Sequence, residues 1–320
     1  MDTTLHLSST LRAWSTLLGD HPAIDPALPG RELWPVTAED GRRYVLKRLG
    51  PWRNLPVADQ ARVLAHLTRT AVRVAEFLVT EEASMFAGAP EDSFVLMPHL
   101  PHDDIAAAQA LPVEELVGRS VAALHQSLAA HPWDAHSYRE RIAEGLADLH
   151  VPEDVRDGFD ARRDEVLARI APLPLQLVHG DLTPDNVLVS RADGTVSFID
   201  LDHLPLAPRV FDLAKYLSRR LRRLPLPAAA RNVERFVAGY HRASPLAAEE
   251  IGALLAMILA MNLLEASWTA RILSGQLERR LLPEQRAELG PILASLRRQL
   301  HDDGFLVEAV AAGVKGRASD

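Results

Sequence analysis

Apolar and polar residues alternate with a period of two over two short stretches near the front of the chain, and this pattern predicts a β-hairpin. Leu33-Trp34-Pro35-Val36-Thr37 and Arg43–Leu49 flank Glu39-Asp40-Gly41. An Asp-Gly pair between apolar runs is a strong turn signal. Pro35 cannot donate to a ladder, so its strand is expected at a sheet edge. After a break at Gly50–Pro56 the period becomes helical, with Val57, Ala61, Leu64 and Leu67 on one face. Arg73–Thr80 and Ser93–Met97 return to strand character. Pro98-His99-Leu100-Pro101 then resists regular structure. A boundary is expected there, between a small strand-rich N-terminal lobe (residues 1–98) and a larger, mainly helical C-terminal lobe (residues 99–320).

Beyond the boundary the spacing is mostly helical. Pro112–Ala129 carries Leu116, Val117, Ser120, Leu124 and Leu128 near one stripe, and Pro152–Ile170 predicts a second helix. Helical spacing resumes at Val210 and runs to the C-terminus. One irregular segment interrupts it, Leu177–Asp202, where Val187-Leu188-Val189 and Val196-Ser197-Phe198-Ile199 bracket the turn Ala192-Asp193-Gly194. The most apolar stretch, Ile251–Leu264, is short and contains Asn262, which predicts a buried helix and no membrane span. The fold class is therefore α+β.

Composition narrows the function more than the fold. Apolar residues are 48% and charged residues 24% of the chain, as in an ordinary globular protein. The absence of cysteine excludes disulfides, thiolate nucleophiles and Cys-based zinc sites. A net charge of −8 disfavours nucleic-acid partners and suits a cationic ligand. The N-terminus MDTTLHLSSTLRAW has no basic region followed by an apolar run, so no secretory signal is expected and the expected location is cytoplasmic.

The candidate chemistry lies in the irregular segment. His179-Gly180-Asp181-Leu182-Thr183-Pro184-Asp185-Asn186 sets a His, two Asp and an Asn in a loop between a strand and a hairpin that ends in Ile199-Asp200-Leu201-Asp202. Phosphoryl transfer needs hard oxygen ligands for Mg²⁺ and a carboxylate to orient or deprotonate the attacking hydroxyl. Asp181 and Asn186 keep the spacing of the H-x-D-x-x-x-x-N catalytic loop. The hairpin returns Asp200 toward Asn186, which lets the two serve one metal. Asp and Asn are also common helix caps and turn residues. The ordered set weighs against that plainer explanation.

His179–Leu188 followed by Ile199-Asp200, together with Phe211-Asp212-Leu213-Ala214, closely resembles the aminoglycoside phosphotransferase/choline kinase-like family. The resemblance implies a bilobal protein-kinase-like fold and a small-molecule O-phosphotransferase that uses ATP or GTP with Mg²⁺. It implies Asp181 as catalytic base, His179 as a brace for the loop, Asn186 and Asp200 as metal ligands, and Asp212 as a support. A kinase-like N-lobe also needs a strand lysine, and Lys47 in Tyr44-Val45-Leu46-Lys47 is the candidate, with Val45 on the same face to cover the base. Met97–Leu100, including His99, would form the hinge against the nucleotide.

Two features depart from the family. Gln60 falls where the lysine's glutamate partner is expected, with Asp59 turned about 100° away on the helix. Only Gly30 precedes the first strand, where a glycine-rich loop is expected. For the acceptor, Asp202, His203, Glu265 and Trp268 are candidate contacts, the last two as a cation-receiving pair. The acceptor is a small molecule bearing a hydroxyl, either an aminoglycoside-like antibiotic or a metabolic alcohol such as an amino alcohol, homoserine or a sugar. A non-catalytic nucleotide-binding module on the same fold is the remaining alternative.

Overall fold

A computed structural model describes residues 3–28, 31–50, 54–89, 92–103, 113–130, 135–222, 224–278, 281 and 283–316. Gly30 and Pro112, which enter the sequence reading, lie outside the described residues. The chain divides into two compact units. The smaller comprises Met1–His102 and Ser197–His203, and the larger comprises Asp103–Val196 and Leu204–Asp320.

The smaller unit opens with helix α1 (Thr3–Leu11), a 3₁₀ turn at Arg12–Trp14, and α2 (Ser15–Leu18). Strands β1 (Ala23–Ile24), β2 (Leu33–Thr37) and β3 (Arg43–Arg48) follow, then α3 (Val57–Leu67), β4 (Arg73–Val74) and β5 (Phe94–Pro98). The order β1-β2-β3-β5 is antiparallel throughout. The expected hairpin is β2–β3. Gly41 takes φ 84° in its turn, where a side chain would be strained.

Period-two alternation sorts the sheet's faces. Val36, Tyr44, Leu46, Phe94 and Leu96 pack with Leu7, Leu11, Trp14 and Leu18. Trp14 donates its indole N–H to the Leu78 carbonyl at 2.8 Å, so the large ring is buried without an orphaned donor. Val45 and Lys47 therefore lie on the opposite face, beside Met97 and Val95 in the neighbouring strand.

Two expectations change here. The strand that carries Pro35 is flanked on both sides. Pro35 is tolerated because its backbone faces the two-residue β1, where its carbonyl accepts from the Asp25 N–H at 3.0 Å. Of Arg73–Thr80 only Arg73–Val74 forms a strand, paired in parallel with Ser197 and Phe198. Val74 and Ala75 are both buried, which breaks the alternation, and the chain leaves the sheet.

The larger unit begins with α4 (Glu114–Ala129), α5 (Arg139–Ala147), α6 (Glu153–Asp160) and α7 (Arg163–Ile170). The single helix expected over Pro152–Ile170 is thus two. Arg162, at the break, is anchored by the Gln299 carbonyl at 3.2 Å and Asp303 at 3.0 Å, and this tertiary pull overrides local helical spacing. Strands β6 (Gln176–Leu177), β7 (Val187–Ser190), β8 (Thr195–Phe198) and β9 (Leu206–Ala207) supply the irregular segment. The remaining helices are α8 (Val210–Arg222), α9 (Leu226–Ala243), α10 (Ala248–Leu273), α11 (Pro283–Ala287), α12 (Leu289–His301) and α13 (Gly304–Lys315).

Helices α4 and α9 pack closely at two glycines. A β-carbon on Gly118 would strike the Phe236 carbonyl, and one on Gly239 the Glu115 carbonyl. Helix α10 is long and apolar enough to cross a membrane by length and composition, yet 67% of its most apolar window is buried inside the protein. It packs against α5, α7, α8 and α12, as a core helix does.

Candidate active site

The loop after β6 is held from beneath by Asp212, on the first turn of α8. Asp212 is fully buried and accepts the backbone N–H groups of His179 at 2.7 Å and Gly180 at 2.9 Å. His125 Nε2 lies 3.0 Å from the same carboxylate, and His125 Nδ1 lies 2.8 Å from the Tyr240 hydroxyl. Burial alone would raise the Asp212 pKa. The His125 hydrogen bond and charge, His179 and the Gly180 N–H outweigh it and hold the group below the usual carboxylate range.

This cradle fixes the start of the loop, and the loop's own bonds fix the rest. Gly180 takes φ 83°. The Asp181 N–H donates to His179 Nδ1 at 3.3 Å, which gives the fully buried His179 a bracing contact. Thr183 N–H donates to the Asp181 carbonyl at 2.8 Å, and a 3₁₀ turn over Pro184–Asn186 follows. Asn186 Nδ2 then reaches back to the Asp181 carbonyl at 2.8 Å and to Asp181 Oδ2 at 3.3 Å. Asp181 and Asn186 are thereby brought together. The nitrogen of Asn186 is committed to Asp181, so its oxygen is the atom left to serve a cation. Lys215, one turn beyond Asp212 on α8, places Nζ 3.3 Å from Asp181 Oδ1.

In the smaller unit a second cluster forms. Lys47 Nζ lies 2.5 Å from Asp200 Oδ1 and 2.7 Å from Asp202 Oδ2. Burial works to lower the lysine's pKa, but the two carboxylates outweigh it and the pKa is raised, so Lys47 is a firm cation. Asp200 has φ 63°, a left-handed conformation that non-glycine residues adopt at a cost. Gln60 is buried on α3 and donates to Asp202 Oδ1 at 3.0 Å and to the Leu201 carbonyl at 3.2 Å. Asp59 pairs instead with Arg62.

Other sequence candidates are placed as follows. Val45 and Met97 are register partners and half-buried. The His99 N–H is used by the Arg43 carbonyl at 3.0 Å, and burial with Arg43 and His102 lowers the pKa of its ring. The carbonyl of His203 accepts from Asn54 at 2.5 Å. Glu265 is engaged within the protein, 2.6 Å from Arg219 and 2.5 Å from Arg222. Burial would raise its pKa, but Arg222, Arg219 and Lys215 bring it down to about 2. Its charge is matched, which leaves little for an incoming cation. Trp268 is half-buried on the same helix. The basic run on α8 is likewise internal, since Arg220 pairs with Glu114 and Arg222 also meets Asn262 at 3.1 Å.

His125, Lys215 and the contact of Gln60 with Asp202 escape the sequence reading. His125 sits on a helix face with Val121 and Leu128 and looks like core. The signal for Lys215 is its spacing of three from Asp212, which puts both on one side of α8.

The carboxylates of Asp181 and Asp200 and the amide oxygen of Asn186 are donors of the kind a hard cation takes. Among the described residues no group of three His, Cys, Asp or Glu side chains could hold a metal. Mg²⁺ needs no such cage, since one or two protein oxygens suffice beside substrate phosphates and water.

A family model described as a phosphotransferase enzyme family matches residues 31–250. No curated protein matches the chain. Solved structures of several small-molecule kinases share the fold. One is the amicoumacin kinase hAmiN in complex with AMP-PNP, Ca²⁺ and Ami (TM-score 0.70, 16% identity, covering 95% of each chain). A choline/ethanolamine kinase family protein from Mesorhizobium loti gives TM-score 0.70 and 17% identity over 98% of this chain and 99% of that one. A microcompartment-associated aminopropanol kinase gives TM-score 0.70 and 16% identity over 94% and 99%. The α+β architecture is thus the kinase-like one, with a strand-rich N-terminal part and a helical C-terminal part.

Proposed function

Because the chain belongs to the phosphotransferase enzyme family, we propose that it moves the γ-phosphoryl group of ATP or GTP to a hydroxyl of a small amine-bearing molecule in the cytoplasm. The observation that carries the reading is the Asp181–Asn186 pair. A loop with H-x-D-x-x-x-x-N spacing is locked so that one residue presents a carboxylate and the other an amide oxygen.

Asp181 acts as the base. It accepts the proton of the acceptor hydroxyl as that oxygen bonds to the γ-phosphorus and the bond from phosphorus to the β-bridging oxygen breaks, which leaves a nucleoside diphosphate. Asn186 and Asp200 are the proposed metal ligands. Bound Mg²⁺ supplies charge neutralisation on the phosphates. Lys47 grips the triphosphate, while Val45 and Met97 cover the base. Catalysis comes mainly from position and charge, since the transition state is loose.

Amine-bearing acceptors are favoured because the similar structures include an aminopropanol kinase and a choline/ethanolamine kinase family protein. The test is diphosphate release from ATP and from GTP with Mg²⁺ across amino alcohols, aminoglycosides, homoserine and sugars. One amine-bearing acceptor is expected to stimulate turnover by at least about tenfold over water, a difference of about 1.4 kcal/mol in barrier. Binding of nucleotide without turnover on any acceptor would favour a non-catalytic module instead.

A further inference from the structure

We infer that Asp202, positioned by Gln60, is the acidic partner of Lys47 in this chain. The role is moved from the helix after the lysine strand to the segment after β8. The inference rests on the phosphotransferase reading, in which Lys47 holds the triphosphate.

A kinase-like site keeps its strand lysine in place with a glutamate on the following helix. Here that helix is α3, and the residue it buries toward the 201–202 segment is Gln60. The hydrogen bonds of Gln60 do not go to the lysine. Its Nε2 meets two acceptors, the Leu201 carbonyl at 3.2 Å and Asp202 Oδ1 at 3.0 Å. The second oxygen of Asp202 meets Lys47 at 2.7 Å. Two acceptors converging on one atom fix the amide's orientation, because the flipped amide would set oxygen against oxygen twice.

The same geometry explains why a glutamine stands where a glutamate is expected. A carboxylate at position 60 would face a carboxylate and a carbonyl with no proton to share. Like charges at such a distance repel strongly in a buried setting. Gln60 and Asp202 are therefore complementary. One carboxylate and one amide meet there, the acid at 202 and the amide at 60. Lys47 retains a half-buried acid partner, and α3 still steers it, but through a relay of one extra side chain. Asp202 and Gln60 are positioning residues that act through Lys47.

Three variants test this: Gln60→Glu, Asp202→Asn and the double exchange. The readouts are the dissociation constant of a non-hydrolysable ATP or GTP analogue with Mg²⁺, the thermal midpoint, and kcat and KM for the nucleotide. Each single variant is expected to weaken analogue binding by at least about tenfold, equivalent to a lost 1.4 kcal/mol. The double variant is expected to regain the thermal midpoint lost in Gln60→Glu, because an amide at 202 can donate to a carboxylate at 60, while binding the analogue no better than Asp202→Asn, because Lys47 still lacks its acid. If a single variant does not fold, recovery of folding in the double variant supports the same complementarity. Gln60→Glu that binds the analogue as well as the parent overturns the inference, as does a double variant, lacking the carboxylate at 202, that binds the analogue as tightly as the parent. A parent chain that binds neither nucleotide overturns the phosphotransferase reading, and the inference with it.

Discussion

At the scale of single residues, the buried carboxylate of Asp212 has the most partners to lose. Asp212→Ala would leave two backbone N–H groups and His125 facing an empty space. Breaking such a buried network is expected to cost about 3–5 kcal/mol, read from urea unfolding. Lys215→Met is expected to lower kcat by about tenfold with nucleotide KM little changed, because it removes the cation beside Asp181 Oδ1 without touching the nucleotide grip. An unchanged kcat would show that Lys215 only decorates the loop. Glu265 makes the protein acid-sensitive. Its folded pKa of about 2 lies below the usual 4.5, so its contribution is complete above about pH 4.5 and is lost as pH falls toward 2. That contribution is on the order of 3 kcal/mol, and Glu265→Gln is expected to flatten the stability profile over this range. The pairing of Asp181 with Asn186 is legible in the sequence because it is written in local spacing. His125 is not, because its partner Asp212 lies 87 residues away and only the fold brings them together.

At the scale of elements, strong local signals carry through. The β2–β3 hairpin has its Asp-Gly turn, and α3 runs over the same Val57–Leu67 that helical spacing marks. Elements governed by distant contacts do not read so well. The break between α6 and α7 depends on Arg162 reaching Asp303, and the short β4 depends on a parallel partner far along the chain. The α4–α9 contact is of the same kind, since a glycine inside a helix gives no hint of the backbone it meets. Gly239→Ala is expected to destabilise the protein by about 2 kcal/mol or more through overpacking, and Gly118→Ala likewise, as measured by thermal or urea unfolding.

At the scale of the whole molecule, the class of fold and of chemistry is legible from the order of parts, with strands first, then the His179–Asn186 loop, a hairpin and a run of helices. The membership of residues 197–203 in the smaller unit is not, because it follows from the pairing of Ser197 and Phe198 with β4. That short return segment brings Asp200 and Asp202 to Lys47. It also supplies Lys47 with an acid where α3 offers Gln60. A net charge of −8 spread over the chain bears on solubility more than on the acceptor, and Glu265, the acid best placed by sequence to receive a cation, is already matched by two arginines.

The central claim is that Asp181 is the base of a phosphoryl transfer, and Asp181→Asn tests it most directly. The variant keeps the side chain's shape and an oxygen for Asn186, so analogue binding is expected to stay within about threefold of the parent, while phosphorylation of the stimulating acceptor falls on the order of 10³-fold. Full transfer activity in Asp181→Asn, with nucleotide bound as before, would contradict the account.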